Sequence, residues 1–139
     1  MPTTSPEIQA FAAGFPIFLA HASVTIVILL IGAAAYVLLT PHKEISLIRE
    51  GNTAAAVSLG GVLIGLAIPL SASLKASANV IEIGLWGAVT VVVQLLVFRL
   101  VDIILRGLPR RIQDGEISAA ALLVGAKIAT ALLVAAARS

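Results

Sequence analysis

The chain has 139 residues, of which 60% are hydrophobic and 12% charged, and its mean hydropathy is +1.10. Soluble domains are roughly 45–50% apolar and about 25% charged, so the composition indicates a membrane protein. The net charge of +2, without a basic stripe that alternates with aromatic residues, excludes a nucleic-acid-binding domain. The absence of cysteine excludes disulfides, thiolate metal sites and a cysteine nucleophile.

Four stretches are long and apolar enough to be transmembrane helices, which need about 20 residues. In chain order they are Phe15–Leu39, Thr53–Leu74, Val80–Leu105 and Ile117–Ala137. We therefore predict an all-α integral membrane protein with four transmembrane helices in a single domain, residues 1–139.

Basic residues in the loops predict the orientation, because cytoplasmic loops are enriched in Lys and Arg. The loops after the first and third spans hold Lys43, Arg49, Arg106, Arg110 and Arg111, whereas the other side holds Lys75 and Arg138. We expect both basic loops to be cytoplasmic and both termini to lie outside. The lack of basic residues before the first span argues against a secretory signal peptide. The segment Lys43 to Arg49 is expected to form a short interfacial helix that turns Ile45, Leu47 and Ile48 toward lipid.

The segments that open the second and fourth spans are similar when one is shifted by 64 residues. Between residues 48 and 67, eight of 20 aligned pairs are identical. Each segment contains an acidic residue, a glycine and a polar residue before the helix, and Asn52 and Glu116 are the polar residues. We expect Asn52 to cap the second span. The pattern predicts two helical hairpins, approximately residues 15–74 and 79–137, that are parallel repeats.

Several short motifs resemble one family. The sequence contains Pro41-His42-Lys43-Glu44, Leu47-Ile48, Asn52-Thr53-Ala54-Ala55, Gly61, Gly65, Ile68-Pro69-Leu70-Ser71 and Gln94-Leu95-Leu96-Val97-Phe98. Over roughly residues 15 to 137 it resembles the YjfL-type bacterial inner-membrane proteins, classified as domain of unknown function 350. The resemblance implies a four-helix protein of the bacterial inner membrane. It implies no activity, cofactor or catalytic residue, and Lys127 is not part of the shared pattern.

Small residues form a stripe on the second span and a weaker one on the fourth. Their steps of three and four place each stripe on one helix face, where small residues allow close backbone approach. The predicted packing residues are Ser58, Gly61, Gly65, Pro69 and Gly125. Alternatively, Gly65 and Pro69 loosen the helix beside a cavity. Because the second span can offer its stripe to only one neighbour within the bundle, the two stripes predict a homo-oligomer.

Four polar residues within the spans are candidates for an intramembrane site: Lys127, Gln94, Glu82 and His21. An amide at mid-depth must find a hydrogen-bond partner, so Gln94 either joins helices or lines a cavity. Glu82 is expected near the outer interface, and His21 is either structural or responsive to protons. Asp102 is expected to pair with Arg99, three residues away, as a solvated anchor.

Lys127 lies near the centre of the fourth span, where a charge costs about 2.5–3.5 kcal/mol on insertion scales. It faces away from the Gly125 stripe. We therefore expect its side chain to point into the protein interior or a wet cavity, with Gln94 as its nearest polar neighbour.

The sequence contains no nucleophile–base arrangement and no nucleotide-binding motif, so an enzyme is not expected. No cofactor is expected, and no metal, because His21 and His42 lie on opposite sides of the membrane. The favoured function is a structural or assembly protein of the lipid bilayer that forms a homo-oligomer or binds another membrane protein. The alternative is a small oligomeric channel or transporter with a polar path near Gln94 and Lys127. Transport requires intramembrane charges to line water, whereas a scaffold allows them to be paired.

Overall fold

A computed structural model describes residues 5–39 and 44–138. Within these residues the chain forms six α-helices and no strand: α1 Pro6–Leu39, α2 Glu44–Arg49, α3 Thr53–Ala76, α4 Val80–Ile104, α5 Leu108–Gln113 and α6 Ile117–Arg138. Four of them, α1, α3, α4 and α6, are long and apolar enough to cross a membrane. The prediction of an all-α membrane fold with four spans is therefore confirmed.

Helix α1 is longer than predicted, because it begins at Pro6 rather than Phe15. Proline is well tolerated at the first helical position, where its missing N–H would have no partner within the helix. The acidic Glu7 lies in the same turn, where its charge complements the helix dipole. The other three long helices begin at the predicted residues.

Helix α3 is central and contacts every other helix. Its small-residue stripe is buried, and two glycines bring neighbouring helices close. A Cβ on Gly61 would lie 2.9 Å from Val124 Cβ of α6, and one on Gly65 would lie 2.7 Å from Phe98 Cζ of α4. The stripe is thus used within the chain, on two helices at once. The small-residue stripe of α3 therefore does not leave a free face for a second copy of the chain, contrary to the sequence prediction.

The predicted packing face of α6 was also wrong. Gly125 is exposed, and a Cβ added there would meet nothing within 4 Å. The buried row instead contains Leu123, Lys127 and Ala131. This face places the Lys127 charge inside the protein, which avoids the cost of a charge in lipid.

The two turns that precede α3 and α6 have the same backbone geometry. Gly51 and Gly115 have φ angles of +87° and +85°, in the left-handed region that favours glycine. Gly51 N donates to Ile48 O, and Gly115 N donates to Ile112 O, both at 2.9 Å. Each turn is therefore a left-handed helix stop of the Schellman type.

Asn52 connects the two turns. Its Oδ1 accepts a hydrogen bond from Ala55 N at 3.0 Å, which confirms the predicted cap. Its Nδ2 donates to the carbonyls of Ile112 at 3.0 Å and Gln113 at 3.1 Å. This linkage places α2 and α5 at the same end of the bundle. We call this end of the bundle the basic end. Among the residues that the structure describes, its basic residues are Arg49, Arg106, Arg110 and Arg111.

The short helix α2 confirms the helix expected before the second span, but its orientation differs. Leu47 and Ile48 pack against the buried cluster of α3, α5 and α6 instead of facing lipid. Only Ile45 is exposed among the three apolar residues expected there. Lys43 lies outside the described residues.

Helices α1 and α4 run parallel, because residues in the same chain order meet. Ile28 packs near Gly87, Gly32 near Val91, and Tyr36 near Phe98. Gly87, which meets Ile28, lies seven residues after Val80, the first residue of α4. Seven residues before Ile28 on the parallel helix α1 is residue 21, so residue 21 lies about level with the start of α4. The preceding segment, Pro6 to Ala20, consequently extends about 22 Å beyond the start of α4 at ~1.5 Å per residue. Every residue in it is exposed. We call it the projecting segment.

Candidate functional site: an intramembrane ion pair

Lys127 is completely buried, and its ammonium group contacts residues of two other helices. Nζ donates a hydrogen bond of 2.6 Å to Tyr36 Oη on α1. It also lies 3.1 Å from Asp102 Oδ1 on α4. Because Lys127 belongs to α6, one side chain links three of the four long helices.

Asp102 supplies the opposite charge. Its side chain is 11% exposed, against 1% for Lys127. Oδ1 makes no hydrogen bond of good geometry with any described residue, so its contact with Lys127 is an ion pair rather than an aligned hydrogen bond. The pairing nevertheless neutralises a charge that would otherwise be stranded in a medium of low dielectric constant.

Two aromatic rings complete the surroundings of the ammonium group. Nζ lies 4.6 Å from the centroid of the Tyr36 ring and 5.4 Å from that of Phe98. The two rings meet edge to face, with their centroids 6.1 Å apart. Cation–π attraction is strongest where water is excluded, so these rings add to the stabilisation of a charged lysine.

Gln94 is not the partner of Lys127. Its side chain is completely buried, yet neither its Nε2 nor its Oε1 has a hydrogen-bond partner among the described residues. The amide therefore makes no hydrogen bond to Lys127, whose side chain reaches instead to Asp102, two turns further along α4. Burying an amide without a hydrogen-bond partner costs free energy.

Glu82 and His21 lie away from the ion pair. Glu82 Oε2 accepts a hydrogen bond from Ala78 N at 2.8 Å, while Asn79 Oδ1 accepts one from Glu82 N at 2.9 Å. The bond to Asn79 is an N-cap at the start of α4, and the bond from Ala78 ties the preceding residue to the first turn, so Glu82 has a structural role. His21 is half-buried at the level where the projecting segment ends, and its carbonyl accepts a 2.8 Å hydrogen bond from Thr25 Oγ1.

Arg99 is not paired with Asp102, contrary to the sequence expectation, because Asp102 pairs with Lys127. Arg99 lies where two depressions of the surface meet. The first, the lateral groove, has a volume of about 420 Å³ and is lined by Tyr36, Leu39, Val92, Leu95, Leu96, Arg99 and Asp102. The second, the basic pocket, has a volume of about 670 Å³ and includes Arg99, Arg106 and Arg110.

Tyr36 and Asp102 were missed as members of this site. Tyr36 is the one tyrosine in the chain, and a buried tyrosine hydroxyl usually has a hydrogen-bond partner. That rule is the sequence signal that could have identified it. No group of three His, Asp or Glu side chains that could hold a metal ion occurs in the described residues.

Four membrane-length helices around a compensated buried charge define an integral membrane protein. The chain belongs to the family described as Domain of Unknown Function (DUF350), whose model matches residues 10–138. This confirms the resemblance inferred from the sequence. The UPF0719 inner membrane protein YjfL of Escherichia coli strain K12 is 34% identical over 95 residues, which cover 68% of this chain and 72% of that protein. The YjfL protein of Escherichia coli O157:H7 gives the same values. No solved structure matches this chain.

Proposed function

We propose that this inner-membrane protein has a structural or assembly function and binds copies of itself through the projecting segment of α1. The observation that carries the proposal is the exposure of this segment. Its large apolar side chains are 43–66% exposed in the described part of the chain; they are Ile8, Phe11, Phe15, Ile17, Phe18 and Leu19.

The length of α4 shows why lipid alone is a poor cover for this segment. Helix α4 has 25 residues, or about 37 Å at ~1.5 Å per residue. The hydrocarbon core is about 30 Å thick, so α4 alone is sufficient to cross it. A segment that extends another 22 Å or so enters the headgroup region and water. Contiguous apolar surface in that position favours a protein partner.

Three aromatic rings on the projecting segment favour a second copy as that partner. Phe11 and Phe15 stack with centroids 5.2 Å apart, and Phe15 and Phe18 with centroids 6.3 Å apart. Spacings of four and three residues put the rings on one face of the helix. Copies inserted in the same orientation present the same face at the same height, which suits a symmetric contact.

The state of Lys127 supports a structural function over transport. A transport path requires its charge to face water, whereas here it is buried against Asp102 and Tyr36. Gln94, the other residue of the alternative polar path, is also completely buried. We therefore place the channel or transporter second.

We further propose that the basic end faces the cytoplasm and that both termini lie outside. The gathering of Arg49, Arg106, Arg110 and Arg111 at one end supports this orientation through the positive-inside rule.

We also infer that the chain arose by duplication of a helical hairpin. The matched turns at Gly51 and Gly115 support that inference.

Cysteine cross-linking in native membranes tests the self-association. The chain has no cysteine, so Phe15→Cys and Phe18→Cys each introduce one thiol into the projecting segment. Leu133→Cys is the matched control, because Leu133 is 72% exposed on a different helix. Mild oxidation should convert a projecting-segment variant, and not the control, into a disulfide-linked dimer. Failure of a scan across residues 8–18 to give any dimer contradicts the proposal, and adducts of another mass indicate a different membrane protein.

A further inference from the structure

We propose that the lateral groove and the basic pocket together form a binding site for one anionic phospholipid, with its phosphate at the arginines and an acyl chain along the groove. The site lies on the surface of the monomer at the basic end. It does not depend on self-association or on which side of the membrane this end faces.

The depth of Arg99 matches the level of a lipid headgroup. Nineteen steps separate Val80, the first residue of α4, from Arg99, or about 28 Å at ~1.5 Å per residue. This is close to the hydrocarbon thickness of about 30 Å. Arg99 therefore lies near the interface at the basic end, while Leu95, Leu96 and Val92 follow one to two turns deeper, at the depth of acyl chains.

The charges of the site favour an anion. Arg99, Arg106 and Arg110 all line the basic pocket, and none of them forms an ion pair within residues 5–39 and 44–138. Among the described residues that line either depression, Asp102 is the one with an acidic side chain. Its charge is compensated by Lys127. The site consequently presents three uncompensated guanidinium groups, which suit a phosphate bearing several acceptor oxygens.

The shape of the site favours a lipid over a free phosphate. Arg99 belongs to both depressions, so the basic pocket is continuous with the lateral groove. The groove runs between α1 and α4 and is mostly apolar, with Leu39, Val92, Leu95 and Leu96 in its walls. Basic pockets beside membrane helices are recognised sites for acidic lipid headgroups. An inorganic anion would leave the apolar groove unused.

Native mass spectrometry of the full chain tests the site with an equimolar mixture of phosphatidylglycerol and phosphatidylcholine that carry identical acyl chains. We expect one phosphatidylglycerol molecule to be retained in preference to phosphatidylcholine. Arg99→Gln should lower that retention about fivefold, the value of one basic residue near a membrane surface. Arg49→Gln is the control, because Arg49 is at the same end but lines neither depression.

Two further measurements separate the headgroup from the acyl chain. Leu96 is 63% exposed, so Leu96→Trp should fill the groove without unfolding the bundle and should weaken phosphatidylglycerol binding. Millimolar inorganic phosphate should not displace the lipid. Equal retention of both lipids, equal effects of Arg99→Gln and Arg49→Gln, an inert Leu96→Trp, or displacement by phosphate would each overturn the proposal.

Discussion

Lys127 and Asp102 form an ion pair inside the membrane-spanning bundle, with Nζ and Oδ1 3.1 Å apart. Lys127 lies near the middle of α6, whereas Asp102 lies in the last turn of α4, toward the basic end. The lysine side chain therefore extends along the bundle axis to reach its partner, as long basic side chains do when they avoid the bilayer centre. Since Tyr36 binds the same ammonium group, the pair holds α1, α4 and α6 together.

Removal of the lysine alone should destabilise the protein strongly. Lys127→Met leaves the largely buried Asp102 carboxylate, 11% exposed, without its partner, and breaking a fully buried pair costs about 3–5 kcal/mol, which is the upper bound here. The free energy of unfolding in mixed micelles measures the loss. Lys75→Met is the control, because Lys75 is exposed at the other end of the bundle, and we expect it to change stability by less than about 0.5 kcal/mol.

The double substitution Lys127→Met/Asp102→Leu should recover most of this loss. Replacement of both members of a buried pair by apolar residues of similar volume is often neutral or stabilising. We expect the double variant to be within about 1 kcal/mol of the original chain. A Lys127→Met variant that is more stable than the original chain would contradict the ion pair.

Loss of the tyrosine hydroxyl should have a smaller effect. Tyr36→Phe keeps the ring beside Lys127 but removes the 2.6 Å hydrogen bond, which should cost about 1.5–3 kcal/mol for a bond to a charged group. Thr25→Val is a suitable control, because the Thr25 hydroxyl donates to the carbonyl of His21 within its own helix. Equal stabilities of Tyr36→Phe and the original chain would show that the hydroxyl does not support the ammonium group.

Two glycines that are 64 residues apart should respond differently to the same substitution. Gly61→Leu places a side chain against Val124 on the neighbouring helix and should cost about 1–3 kcal/mol or more through overpacking. Gly125→Leu projects into open space and should change stability by less than about 0.5 kcal/mol. Thermal unfolding in detergent compares the two variants. Equal destabilisation would mean that α6 is rotated relative to this structure.

Replacement of the buried amide should stabilise the protein. Gln94→Met retains the approximate size of the side chain. It removes two polar atoms that have no hydrogen-bond partner among the described residues. The free energy of unfolding should therefore rise by about 1–3 kcal/mol. The free energy of unfolding again provides the measurement. A loss of stability would instead indicate that the amide binds a buried group such as water.

Much of the fold could be predicted because bilayer physics constrains it. Apolar runs of membrane length located α3, α4 and α6, and the residue type at position 52 was sufficient to predict the helix cap. Helix α1 could not be delimited in the same way, because hydropathy located the apolar run from Phe15 and gave no signal for the helical turns that precede it. The Gly125 face of α6 was mistaken because small residues were taken to mark close packing wherever they line up, whereas this face is exposed and the Lys127 face is buried.

The candidate site was predictable only in part. The cost of a charge in lipid was enough to expect Lys127 in the interior, but its partners depend on how far its side chain extends along the bundle. Helical register alone favoured Gln94 at the same depth, whereas the structure pairs Lys127 with Asp102. The pairing of Asp102 with Arg99, three residues away, was a plausible local alternative. Asp102 instead pairs with Lys127 on a different helix, and spacing along the sequence does not reveal such a contact.

Self-association of the chain can be measured from the mass of the protein complex that is released from lipid nanodiscs. The chain has a mass of 14.2 kDa, so an assembly held by the projecting segment should give an integral multiple of that mass, and Phe15→Ser should shift the population toward the single chain. Leu133→Ser changes a residue on an exposed face of α6, and it should leave the number of chains in the complex unchanged. A single-chain mass at every protein-to-lipid ratio, or a multiple that Phe15→Ser does not alter, would show that the projecting segment does not hold copies of the chain together.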